Sequence, residues 1–339
     1  MYLTLTNTQI TRIHPRRAIP GGRIMVQGAF QLDQPRLPEV RIGDAVARLV
    51  QASSHALLVH VPADISGGRH SVQVEGVLSE TDFHLDIGAI IATGLHQVDN
   101  PVFDRDGNLY VTYSGTRGQQ TPVSIFRVRR DGSREALVSK ITNPTSMAFD
   151  PDGQLHVSSR FDGTVYRVDS NGKFEAVATE LGVACGIVFD DEGQLYVGDR
   201  SGTVFRVDAS GTATTLASLP ASVAAFHLAM SQDHWLYVTG PTLDPCDSVY
   251  RIDREGVIEE VCTQFGRPQG LTLDAQGVLY VIEALAGASG LYRVGEDGDR
   301  ALVLAAPSLI GVTFDPDGNI IVASNDTVYR FDRNSHDLS

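Results

Sequence analysis

Residues 147–157 read MAFDPDGQLHV, and a few positions later residues 165–168 read VYRV. The first phrase is an apolar stretch, an Asp/Gly turn and a second short apolar run. The second is β-branched and aromatic around one arginine. Both are rich in residues that suit a pleated, half-buried strand and are too short for helices. Both phrases also recur. The first returns as PVFDRDGNLYV from Pro101, IVFDDEGQLYV from Ile187, LAMSQDHWLYV from Leu228, LTLDAQGVLYV from Leu271 and VTFDPDGNIIV from Val312. The second returns as IFRV at Ile125, VFRV at Val204, VYRI at Val249, LYRV at Leu291 and VYRF at Val328. Each occurs six times, with successive copies 37 to 46 residues apart. A strand-rich period of that length predicts one four-stranded propeller blade per repeat. The expected fold is therefore all-β, a six-bladed β-propeller over 87–339 preceded by a small sandwich over 1–86.

The turns support the blades. In an Asp-x-Asp-Gly hairpin, Asp accepts backbone N–H bonds and Gly takes a positive φ. Asp104 with Asp106, and Asp150 with Asp152, have the look of calcium ligands. The same turn survives at Gln232–His234 without the acid pair, which favours the turn reading. A blade also needs an outer strand. Five follow the second phrase directly: EALVSKI, FEAVATEL, TATTLASL, VIEEVCTQF and RALVLAA. After the sixth copy the chain ends at SHDLS without one, while a spare, GAIIATGL from Gly88, stands before the first. The ring is expected to close by pairing 88–94 with the last strands, which removes free sheet edges. Deleting the last fifteen residues should then unfold the ring.

Composition narrows the function classes. The 339 residues are 42% hydrophobic and carry a net charge of −14 with a pI near 5.1. That balance argues against a nucleic-acid partner, which needs a basic face, and against an anionic membrane surface. No run of about eighteen apolar residues predicts membrane insertion. The start, MYLTLTNTQITRIHP, lacks a basic segment followed by an apolar one, so a cytoplasmic protein or a trimmed exported form is expected. The three cysteines, Cys185, Cys246 and Cys262, have no metal-type spacing, and a Cys246–Cys262 bridge stays open.

The loops after the second strand of each repeat share one face, called the top here. They are short in the second, third and sixth copies. They are long in the first (TYSGTRGQQTPVS), fourth (TGPTLDPCDS) and fifth (IEALAGASG). Lengthened loops cost little stability and commonly carry binding features. A top-face pocket for a small molecule or a protein segment is expected there. Aligned at the start of the inner strands are Asp99, Thr145, Cys185, Phe226, Gln269 and Ile310. Beside them come Asn100, Ser146, Gly186, His227, Gly270 and Gly311. Asp99 and His227 are the ionisable pair in this ring apart from the Cys185 thiol. They could be metal ligands, a general acid and base, or backbone-bonding groups. Glu283 could reach the same pocket. Asp199 reads as a hydrogen bond within its blade. The repeated arginine of the second phrase reads as structural, its stem on the sheet and its head paired nearby.

The repeat phrases resemble those of NHL-repeat propellers and of the SMP-30/gluconolactonase (regucalcin-like) propellers across 88–333. The front segment, ITRIHPRRAIPGGRIMVQGAF with VPADISGGRHSVQVEG, resembles TIG/IPT domains, immunoglobulin-like modules that serve as spacers or interaction domains. The gluconolactonase resemblance implies hydrolysis of sugar lactones with one divalent cation. The family holds that cation with a Glu, an Asn and an Asp, and has a further channel Asn. Here those positions hold Asp99, Phe226, Gln269 and Cys185. Phenylalanine cannot ligate, and an amide is a weaker ligand than a carboxylate for a hard cation. A divergent set of Asp99, His227 and Gln269 for calcium, zinc, magnesium or manganese is the remaining metal reading, and no cation the favoured one. The leading expectation is a ligand-binding propeller, with Asn100, Thr145, Ser146, Cys185, Phe226, Gln269 and Glu283 as contacts. The alternative is a lactonase-like hydrolase, or a lyase, with Asp99 and His227 catalytic.

Overall fold

The computed structural model describes residues 8–32, 37–75, 77–78 and 83–333; the first seven residues and the closing SHDLS lie outside the described residues. Among the described residues every regular element is a strand. The first phrase of each repeat supplies two strands and the second phrase a third, as their β-branched composition dictates. In the second copy these are Pro144–Phe149, Leu155–Ser159 and Thr164–Val168, followed by the outer strand Phe174–Ala178. All four pair antiparallel in sequence order.

The first, second, third and fourth copies each form a separate four-stranded sheet of this kind. A fifth separate sheet holds the three strands of the last copy, Leu309–Phe314, Ile320–Ser324 and Thr327–Phe331. Its outer strand is Ala89–Thr93, antiparallel to Thr327–Phe331. The fifth copy, Pro268–Leu273 through Arg300–Ala305, makes the same meander but continues sideways into the front region. Inner strands touch their neighbours in chain order, giving a propeller arrangement. The first copy meets the last two through Asn100. Its Nδ2 donates to the Leu271 carbonyl at 2.9 Å, and its Oδ1 accepts the Val312 N–H at 2.9 Å. Glycine is required on the facing strand, because a Cβ on Gly270 would sit 2.3 Å from Asn100 Oδ1.

Cores lie between successive sheets. Val138 and Ile141 of the first repeat, for example, pack with Met147 and Val157 of the second, all essentially buried. Each such aliphatic side chain contributes roughly 1.5–3 kcal/mol by leaving water. The hairpins opposite the top face are held by their first acid. Asp104 Oδ1 accepts the Asn108 N–H at 2.8 Å, and Asp150 Oδ1 accepts the Gln154 N–H at 2.8 Å. These carboxylates are turn-formers. The repeated arginines face cross-strand acids: Arg127 pairs with Glu135, Arg167 with Glu175 and Arg251 with Glu259, each in register.

In the front region, Gln9–His14, Arg23–Ala29, Ala56–His60 and Ala45–Ala52 pair antiparallel in that order. Val40–Ile42, Gly68–Val74 and His84–Ile87 extend the run. Ile24, Val26, Leu57, Val59, Val72 and Leu85 are fully buried in its core. The strand Arg17–Ala18 then runs parallel to His84–Ile87 on one side and meets Ala305 on the other. Ala305 belongs to the front core and Ile19 to the core beneath the last two repeats, so the two regions share apolar packing. All three cysteines are free: Cys246 is exposed, while Cys185 and Cys262 are buried. The Cys246–Cys262 bridge left open by the sequence is not formed.

Candidate functional site

The propeller encloses a channel of about 430 Å³ lined by the inner strands. It runs from Asp99 and Asn100 at the top to Phe103, Phe149, Phe189 and Phe314 at the hairpin end.

Asp99 and His227 meet at the top of this channel, although they belong to the first and fourth copies. His227 Nδ1 donates to Asp99 Oδ1 at 2.6 Å. The same carboxylate oxygen accepts the Asn100 N–H at 2.8 Å. Asp99 is 3% exposed and His227 0%. The main-chain oxygen of Asp99 accepts Gln97 Nε2 at 2.7 Å, and Gln97 Oε1 accepts the Thr112 N–H at 2.8 Å. The pair is thus anchored to the second strand of its own sheet. With the Asn100 bonds, it pins opposite sides of the ring together at the top of the channel. One polar atom in the pin stands alone, because His227 Nε2 is buried without a hydrogen-bond partner.

The other sequence candidates mostly hold the backbone. Thr145 Oγ1 donates to the Asn143 carbonyl at 3.1 Å. Ser146 Oγ accepts the Ile187 N–H at 3.2 Å, and the Ser146 N–H donates to Ser158 Oγ at 3.0 Å. Both residues are buried. Cys185 donates its thiol to the Val183 carbonyl at 3.2 Å, and burial pushes its pKa up to about 11. Phe226 packs into the apolar cluster of the third and fourth copies, where Gly198 and Gly240 make room for its ring. Gln269 is half-buried and its carbonyl accepts Thr239 Oγ1 at 2.6 Å.

Glu283 is a correction. Rather than reaching a pocket, it is 0% exposed and accepts three backbone N–H groups. Gly266 reaches its Oε2 at 2.6 Å, while Arg267 and Leu285 reach its Oε1 at 2.8 Å each. A carboxylate so bonded, with Arg300 Nη1 a further 3.5 Å from its Oε2, orders the loop of the fifth copy. Asp199, at the same point of the third copy, accepts the Val183 N–H at 2.8 Å, the blade-internal role expected from sequence.

The cation implied by the gluconolactonase resemblance does not fit these side chains. Asp99 already serves two N–H donors, Phe226 stands in an apolar core, and Cys185 is held as a thiol. Among the described residues, the one group of three acidic, imidazole or thiol side chains with converging atoms is Asp191, Glu192 and His234. It lies at exposed hairpins away from the channel top.

Two features of the top face escape the sequence reading. Asn143, buried and in the left-handed region at φ 48°, clamps the long loop of the first copy. Its Nδ2 donates to the carbonyls of Ser114 at 2.6 Å and Thr116 at 2.8 Å, and its Oδ1 accepts the Gly118 N–H at 2.6 Å. Arg160 and Arg200 occupy the same place in neighbouring copies, one residue past the second strand. Their N–H groups donate to the carbonyls of Asn143 at 3.4 Å and Val183 at 3.2 Å. The sequence signal was available as SSR and GDR at one offset in adjacent repeats.

Residues 95–242 match the family model of the SMP-30/gluconolactonase/LRE-like region. No curated protein matches the chain. Among solved structures, a Bacteroides thetaiotaomicron protein of unknown function is 15% identical, with 97% of this chain and 98% of that one covered at a TM-score of 0.60. An auxiliary nutrient binding protein from the same species is 12% identical over 96% and 98% at 0.58. A virginiamycin B lyase from Staphylococcus aureus is 14% identical over 72% and 87% at 0.52. At these identities the likeness speaks for the fold. The two Bacteroides chains are matched along nearly their full length, front region included.

Proposed function

We propose that this chain is a ligand-binding six-bladed propeller of the gluconolactonase-like group. In this reading residues 1–86 form a TIG/IPT-like immunoglobulin module, 87–339 form the ring, and the top face holds a small molecule. The fifth meander counts as a blade because its four strands repeat the pattern of the other five sheets. The observation that carries the binding reading is the Asp99–His227 pin. We read a buried pair that also satisfies the Asn100 N–H as a structural device, with Asp99 Oδ1 engaged by two donors. The surface above the pin is where function is left to reside. It offers the half-buried Gln269, the arginines of the short loops, and exposed apolar tips such as Leu243, 91% exposed, and Leu285. The likeness to a nutrient binding protein agrees with this reading without naming a ligand.

A second reading, hydrolase or lyase, is favoured by one observation, the unpartnered Nε2 of His227 backed by Asp99 on the other ring nitrogen. That arrangement suits a general base. Its difficulty is access, since His227 is wholly buried. Ligand-observed NMR with a panel of neutral and charged small molecules, run beside a lactone hydrolysis assay, separates the readings. Saturable binding without turnover supports the binder. Turnover that disappears in His227→Ala, with the fold intact by circular dichroism, overturns it.

A further inference from the structure

On a chain of net charge −14, the top face over the first three repeats gathers positive charge. Arg160 begins the short loop of the second copy and Arg200 that of the third. Arg117 sits in the long loop of the first copy, next to Gly118, whose N–H is held by Asn143. Asn143 therefore ties the Arg117 loop and the Arg160 backbone to one point. Among the described residues, no side-chain hydrogen bond or ion pair engages Arg117, Arg160 or Arg200, whereas most other arginines of the ring are paired. The nearby acids are already engaged. Asp99 is bonded to His227, Asp199 to the Val183 N–H and Ser201, and Asp162 to the Tyr166 hydroxyl at 2.7 Å. Arg160 is half-buried, so its guanidinium is partly desolvated with no protein counter-charge.

Such a group is costly unless something neutralises it. The neighbours register the field. Burial, and then the Arg200 and Arg117 charges, lower the pKa of Arg160. Burial and the Arg160 charge lower that of His96. A planar guanidinium left open in this way matches the two oxygens of a carboxylate or phosphate. Phe161, exposed beside Arg160 and against Gly118, supplies an apolar wall.

We propose that Arg160, flanked by Arg117 on the clamped first-repeat loop and by Arg200 on the third-repeat loop, is the anchor for the oxyanion of a small organic ligand, a carboxylate or a phosphate. This assignment rests on the top-face binding reading and gives its ligand a chemical class. The test is a ligand-observed NMR titration of the full chain at low salt with phenyl phosphate, benzoate and the neutral benzyl alcohol. Arg160→Gln is compared with Arg105→Gln, a hairpin-face control. Expected are saturable binding of at least one anionic probe, a loss of tenfold or more in Arg160→Gln, no change in Arg105→Gln, and weakening by added salt. The melting temperature of Arg160→Gln should equal or exceed that of the wild type, because an unpaired cation is removed. Tighter phenyl phosphate assigns the site to phosphates, tighter benzoate to carboxylates. Equal binding of all three probes to wild type and Arg160→Gln overturns the oxyanion anchor and leaves the binding reading standing. Failure of every probe, benzyl alcohol included, counts against both.

Discussion

Replacing Asp99 with alanine should damage the ring more than any surface change, because the carboxylate satisfies two donors at a largely buried point. His227 Nδ1 at 2.6 Å and the Asn100 N–H at 2.8 Å would both lose their acceptor. Asp99 is 3% exposed and His227 0%, so solvent substitutes poorly. Leaving a buried donor unsatisfied costs about 1–3 kcal/mol. Two donors set the loss at about 2–6 kcal/mol by the same principle. At about 2–4 °C per kcal/mol for a domain of this size, the melting temperature should fall by on the order of 10 °C. Differential scanning fluorimetry at pH 7 reads it, with Asp131→Ala, an exposed turn acid, as the reference. Asn100 also bonds to Leu271 and Val312, so the loss should spread to the seam between first and last repeats as faster amide exchange there. A variant melting within about 2 °C of wild type would refute the pin, since that drop corresponds to less than the cost of one orphaned donor.

Other outcomes follow from the same structure. One thiol, Cys246, should react with Ellman's reagent in the native protein and three in denaturant; a second native thiol contradicts the burial of Cys185 and Cys262. Burial lowers the pKa of His156 below its ordinary value of 6.5, against the pull of Asp150. The unfolded chain then takes up a proton first as pH falls. Stability from this group is complete above pH 6.5 and declines as pH drops through the lowered folded value. His156→Asn should flatten that part of a denaturation-against-pH profile, and an unchanged slope would rule His156 out. Deleting residues 325–339 removes the strand that pairs with Ala89–Thr93 and should abolish cooperative melting; a cooperative transition in the truncated chain would mean the ring does not depend on that closure.

The ring was legible because each repeat states its strands twice over, in composition and in turn chemistry, and because an unmatched outer strand at Gly88 faced a last copy that lacked one. The pairing of Asp99 with His227 was legible as a coincidence of level in the aligned repeats. What could not be read is direction. Alignment puts Phe226 and Cys185 on the same level as Asp99, yet Phe226 turns into the apolar cleft opened by Gly198 and Gly240, and the Cys185 thiol bonds back to Val183. Glu283 resembles an exposed loop acid in sequence. Its burial under three N–H groups depends on Gly266 and Arg267, brought there by the preceding outer strand. Asn143 was invisible for a similar reason, since its role is to hold a loop that comes from another repeat.

At the top of the channel Asp99 is engaged as a hydrogen-bond acceptor by His227 and Asn100. Calorimetric titration of the full chain with calcium, zinc, manganese and magnesium, repeated on Asp99→Asn, tests this most directly. The account predicts no heat of binding that depends on Asp99 for any of the four. A stoichiometric ion that binds the wild type and is lost in Asp99→Asn would contradict it and return the channel mouth to catalysis.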